Sequence, residues 1–170
     1  MTFRTPIGQI LLGAGLIDSW QLQSALADQK RWGGRLGESL VRLGFISEHA
    51  LLEQVARQHG VPYVEIADRP VPPQVVRLVP EKLIRSRKLF PIAHAGAARR
   101  GMLVVATSEP QNLEALDEVA FATGQTVKAA LASDRDIARA IERHLGEPPP
   151  PPRPEPWRAP SANGAHRHAA

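Results

Sequence analysis

The sequence predicts an α+β protein. An N-terminal helical domain of two repeated helix-turn-helix units is followed by a small α+β domain with about three strands, then a disordered Pro-rich tail. Three observations carry this reading. The 24 residues from Pro6 to Gln29 align without a gap on Arg35 to Gln58, with KRWGG as the joint. Beyond Lys88 the helical spacing of apolar residues gives way to short aliphatic runs between turn residues. From Glu147 the chain holds five consecutive prolines and then small polar residues, which favour an extended rod and cannot bury enough surface to fold. The domains are therefore set at 1–67, 68–146 and 147–170.

Within the repeat, agreement falls where a small helical unit needs it. Gly8 answers Gly37 and Gly15 answers Gly44. Leu11, Leu12, Leu16, Ile17, Leu22 and Leu26 answer Leu40, Val41, Phe45, Ile46, Leu51 and Val55, and Gln29 and Gln58 close the copies. Each copy reads as a short helix, a Gly turn and a longer amphipathic helix. Asp18 with Gln21 has the form of a capping box, and Ser47 is placed to cap the matching helix of copy two. The extended exit VPYVEI, Val61 to Ile66, is expected to pack back on the repeat.

Residues 67–76 hold three prolines and read as a linker running into a short helix, and a second helix follows Pro80. LFPIAHAG and GMLVVATS read as strands around an AARRG turn. Asn112 caps a helix that stops at Gly124, QTVKAALA is a third strand, and a last helix runs from Asp134 towards Gly146. The order α, α, β, β, α, β, α describes a small sheet covered by helices.

Composition narrows the function. With 43% apolar but 5% aromatic residues, the cores must be aliphatic. The absence of cysteine excludes disulfides and cysteine-ligated metal centres. No apolar run approaches the ~18 to 20 residues that cross a bilayer, so no membrane insertion is expected and the chain is placed in the cytoplasm. The formal charge is +4, but the basic residues are dispersed, with Arg85, Arg87, Lys88 and Arg99, Arg100 as the tightest groups. Few aromatics lie between them, which argues for a solvated face and against a nucleic-acid surface.

At the repeat a resemblance becomes specific. Two blocks of the form RLGxxLVxxGxIxxxxLxxxLxxQ joined by five residues resemble the MshEN-type domain at the amino terminus of type II secretion and type IV pilus assembly ATPases, a family that binds cyclic di-GMP. The second half resembles those regions too, in LVPEKLIRSRKLFPI, LVVATSEPQNLEALDEV and ATGQTVKAALASDRDIARAI, as a pattern of hydrophobic, Pro and Gly positions. The resemblance implies cyclic di-GMP as ligand, with no other cofactor. It implies Arg35, Leu36, Gly37, Leu51, Val55 and Gln58 as ligand-binding residues in copy two, and Ile7, Gly8, Leu22, Leu26 and Gln29 in copy one.

Physical chemistry supports those roles. An arginine fork matches the O6 and N7 acceptors of guanine, so Arg35 suits a guanine reader. Gly8 and Gly37 let backbone approach a phosphate near a helix start. Leu and Ile faces would bed ribose and base, and the Gln29 and Gln58 amides can donate or accept at a base edge. Copy one departs from the pattern in having Pro6 where arginine is wanted, and Arg4 is the residue that could fold back into that place. Taken singly, the same leucines and glycines are what any packed helical hairpin needs, and only their repetition at constant spacing points to a ligand.

No GxxxxGK[ST] string occurs, nor GxSxG, HExxH or GxGxxG, and the histidines lack a context that marks a base or metal ligand. No catalytic residue and no metal site is assigned. The chain reads as a regulatory receptor, either free-standing or cut ahead of a motor, that passes the ligand's presence to a secretion or pilus ATPase or a signalling protein. The competing reading is a scaffold that kept the fold, lost the ligand, and docks on the same partners.

Overall fold

The computed structural model describes residues 5–96 and 101–146. Arg4, the AARR portion of the expected turn with Arg99 and Arg100, and the Pro-rich tail lie outside the described residues.

The repeat folds as α1 (Ile7–Gly13), α2 (Ser19–Trp32), α3 (Leu36–Arg42) and α4 (Glu48–His59). Each short helix ends in the same way. Gly15 and Gly44 take φ of 67° and 74°, so that Leu16 N–H donates to Leu11 O and Phe45 N–H donates to Leu40 O. Those bonds satisfy orphan carbonyls at a helix end, and glycine reaches that left-handed conformation without a Cβ clash. Asp18 accepts from Gln21 N–H at 2.8 Å while the Gln21 side chain accepts from Asp18 N–H at 2.9 Å, completing the capping box. Ser47 caps α4 through Ala50 N–H at 3.2 Å.

The apolar stripes of both copies meet in one core of Leu11, Ile17, Leu22 and Ala25 with Leu40, Ile46 and Leu51. Three of these pairs occupy matching repeat positions. The copies also interlock, because α2 packs on α3 and α1 packs on α4.

The second half continues with α5 (Pro73–Val76), α6 (Glu81–Arg87), β1 (Leu89–Ala95), β2 (Met102–Thr107), α7 (Leu113–Thr123), β3 (Thr126–Leu131) and α8 (Asp134–Leu145). The element order agrees with the order read from the sequence. The sheet runs β1-β2-β3, with β1 and β2 antiparallel and β2 and β3 parallel. Register slips between Pro91 and Ala93, where proline has no N–H to give the ladder. Helices α5, α6 and α8 contact β1, whereas α7 and α4 contact β3. Phe90, Leu103, Val105, Val119 and Ile137 are buried at the centre of this second core.

The exit from α4 departs from expectation. Val61 to Ile66 packs on the repeat only in part and otherwise joins the sheet: Val64 N–H donates to Leu131 O at 2.9 Å, Leu131 N–H donates to Pro62 O at 2.8 Å, and Ile66 is buried in the second core. The free edge of β3 offers unpaired backbone groups that the helical repeat lacks, and this extended segment fills them. Its contacts with the repeat are made at α4: Val61 N–H donates to Ala56 O at 3.1 Å, the Tyr63 ring stands edge-on to His49 at 5.2 Å, and Glu65 Oε1 lies 3.0 Å from His49 Nδ1. The sheet is thereby tied directly to the end of the repeat.

Candidate functional site

That tie leaves a cavity of about 590 Å³ between copy two and the second half. Its floor on the repeat side is built by the start of α3 and one face of α4. Arg35, Leu36 and Gly37 enter from α3; Leu51, Leu52, Val55, Gln58 and His59 enter from α4, and Ile7 closes one side. The opposite wall is Ser108 and Gln111 from the β2–α7 loop, with Leu131, Ala132, Ser133 and Asp134 where β3 runs into α8. Its size is within the range of ordinary small-molecule pockets, ~300–1,000 Å³.

The lining combines an apolar bed with a few fixed polar groups. Arg35 stands at the N-cap position of α3, with its own N–H donating to Glu38 Oε2 at 3.2 Å. Its guanidinium reaches the second half, where Nη2 donates to Glu109 Oε1 at 2.9 Å. Arg42, also on the lining, pairs with Asp28 of copy one and donates to Ser39 Oγ at 3.2 Å. The hydrogen bond from Arg42 holds the Asp28 carboxyl below the usual carboxylate range. On the far wall Ser108 Oγ donates to Asp134 Oδ1 at 2.7 Å. Glu38, Glu48 and Asp134 add acceptor oxygens. A lining with both guanidinium donors and carboxylate acceptors suits a ligand edge that itself mixes acceptors and donors.

The cavity brings together all six copy-two residues singled out from the sequence, and Ile7 with them. Gly8, Leu22, Leu26 and Gln29 of copy one do not line it, and each makes a contact within the fold. A Cβ on Gly8 would lie 2.8 Å from Leu22 Cδ1 and 2.9 Å from Leu36 Cδ2, so Gly8 is where two leucines press on the helix backbone. Gly37 has the same relation to Leu51 Cδ2, at 2.8 Å, and lines the cavity as well. Gln29 donates its side-chain N–H to Gly34 O at 2.9 Å. Leu26 packs against the first core.

Sequence reasoning missed the far wall. Ser108, Gln111, Ser133 and Asp134 lie in stretches read for fold and not for ligand, and the pairing of Val64 with Leu131 helps carry them to the repeat. Among the described residues, no group of three or more His, Cys, Asp or Glu is placed to hold a metal ion. No helix is long and apolar enough to cross a membrane, again among the described residues.

Fold and cavity together define an α+β module in which a duplicated helical unit sits on the edge of a three-stranded sheet. The chain belongs to the MshEN domain family, whose model matches residues 59–150. That match falls on the second half and begins just after the repeat, which ends at Gln58. The type IV pilus assembly ATPase PilB of Myxococcus xanthus is 34% identical over 144 residues, covering 85% of this chain and 25% of the relative. PilB of Thermus thermophilus is 36% identical over 149 residues, covering 86% of this chain and 16% of the relative. The chain therefore spans a quarter or less of these ATPases. The structure of MshE with cyclic di-GMP superposes with a TM-score of 0.70 at 29% identity, over 83% of this chain and 99% of that one, so it takes in both halves. The N-terminal domain of XpsE shares the fold, with a TM-score of 0.56 at 24% identity over 81% of this chain and 92% of that one.

Proposed function

We propose that this chain is a non-catalytic cyclic di-GMP receptor module that acts in the cytoplasm on a protein partner, a type IV pilus or type II secretion ATPase or a signalling protein. One observation carries the reading: the copy-two motif residues, scattered over 24 positions, converge on a single cavity whose other wall comes from the second half. The likeness to MshE with cyclic di-GMP supports it.

In this reading Arg35 addresses O6 and N7 of one guanine, and Leu36, Leu51, Val55 and Ile7 form the bed. Gln58 has its side-chain N–H committed to Thr5 O at 2.7 Å, which leaves its carbonyl to accept from a base edge. Because the cavity is walled by both halves, a ligand in it favours one arrangement of the halves over others, which is how a binding event shifts an equilibrium.

Titration calorimetry of the wild type and Arg35→Ala with cyclic di-GMP tests this. Loss of a bidentate arginine contact costs about 1–3 kcal/mol, so the variant should bind roughly tenfold to a hundredfold more weakly. Equal affinities, or no binding by the wild type, reject the receptor reading.

The scaffold reading is favoured by one feature: Pro6 stands where copy one needs its arginine. An absence of binding by the wild type would leave that reading in place.

A further inference from the structure

The Arg35 guanidinium is already occupied by a carboxylate from the other half of the molecule. Glu109 Oε1 accepts from Arg35 Nη2 at 2.9 Å, across 74 residues of sequence. The β2–α7 loop holds the Glu109 backbone and adds one contact to its carboxylate. Glu109 N–H donates to Thr107 Oγ1 at 3.1 Å, Asn112 N–H donates to Glu109 O at 3.0 Å, and Asn112 Nδ2 donates to Glu109 Oε2 at 3.4 Å. Asn112 is at the same time the N-cap of α7, accepting from Ala115 N–H at 3.2 Å. A hydrogen-bonded path thus runs from the cavity lining at Arg35 through Glu109 to the start of α7.

A carboxylate presents two acceptor oxygens in one plane, much as O6 and N7 of guanine do. Arg35 and Glu109 are 62% and 48% exposed, so their attraction is screened and easily exchanged for a better-buried acceptor. We propose that Glu109 is a built-in competitor for the cavity. It holds Arg35 while the site is empty, and the ligand must take Arg35 from it, releasing the link between α3 and the cap of α7. The inference rests on the nucleotide reading of the cavity. It adds a regulatory residue outside the repeat motif, and it makes occupancy of the site and loosening of the α7 end a single event.

The test is a double-mutant cycle in cyclic di-GMP titrations: wild type, Glu109→Gln, Arg35→Ala and the double variant, with thermal melts to show that each is folded. Removing the competitor should tighten binding about two- to fivefold, the range of an exposed ion pair, with the gain shrinking as salt is added. The gain should vanish in the Arg35→Ala background. If Glu109→Gln binds equally or more weakly, Glu109 orients Arg35 or touches the ligand, and the competitor role is overturned while the site stands. The same tightening with and without Arg35 would mean a general field effect, and this also overturns it. Equal binding by wild type and Arg35→Ala would remove the site reading itself, and the competitor role with it.

Discussion

Gln58 donates its side-chain amide to the carbonyl oxygen of Thr5 at 2.7 Å, joining the last turn of copy two to the lead-in of copy one. Gln29 makes the equivalent bond to Gly34 O at 2.9 Å, the carbonyl just ahead of copy two. Each copy thus closes on the start of the other, and the repeated glutamine has a structural reason independent of any ligand. Replacing Gln58 or Gln29 with Ala should cost about 0.5–1.5 kcal/mol each, the net value of one hydrogen bond. Chemical denaturation reads this as a lower midpoint with unchanged slope. An unchanged midpoint in both variants would show that the closure contributes nothing.

Two glycines of the first turn should respond oppositely to alanine. Gly15 holds φ of 67°, where a side chain costs about 1–2 kcal/mol, so Gly15→Ala should destabilise by about that amount. Gly13 is helical, and a Cβ there meets nothing within 4 Å, so Gly13→Ala should stabilise by up to about 1 kcal/mol. Thermal midpoints of the two variants against wild type decide the matter, and a shift in the same direction for both would contradict the assignment of the turn.

Acid should weaken the fold through two named carboxylates. The hydrogen bond from Arg42 lowers the pKa of Asp28, and that from Arg87 lowers the pKa of Glu118. A carboxyl whose folded-state pKa is depressed contributes stability that is complete above its unfolded value, about 4 for these side chains, and is lost as pH falls through the folded value. The melting temperature should therefore drop below about pH 4, and Asp28→Asn should flatten part of that drop while lowering the midpoint at pH 7. An Asp28→Asn profile parallel to wild type would show that this carboxyl is not involved.

The elements most legible in the sequence were those written twice or punctuated locally. Leu11 with Leu40, Ile17 with Ile46 and Leu22 with Leu51 were readable as a core because the repeat aligns them, and the caps at Asp18, Ser47 and Asn112 act over three residues. The copy-two side of the candidate site was legible for the same reason. Its far wall was not: Tyr63 pairs beside Leu131, and Arg35 meets Glu109, through contacts that no local pattern encodes. The copy-one half was readable as positions but not as a role, since a glycine spared for a phosphate and a glycine spared for Leu22 look alike in a string of letters.

The central claim is that the ligand lodges between copy two and the second half. Amide chemical-shift mapping on the folded chain, titrated with cyclic di-GMP, measures this residue by residue. The predicted result is shifts clustered at residues 35–38, 51–58, 108–111 and 132–134, with residues 19–29 of copy one little changed. Shifts confined to copy one, or to surfaces remote from the cavity, would contradict it.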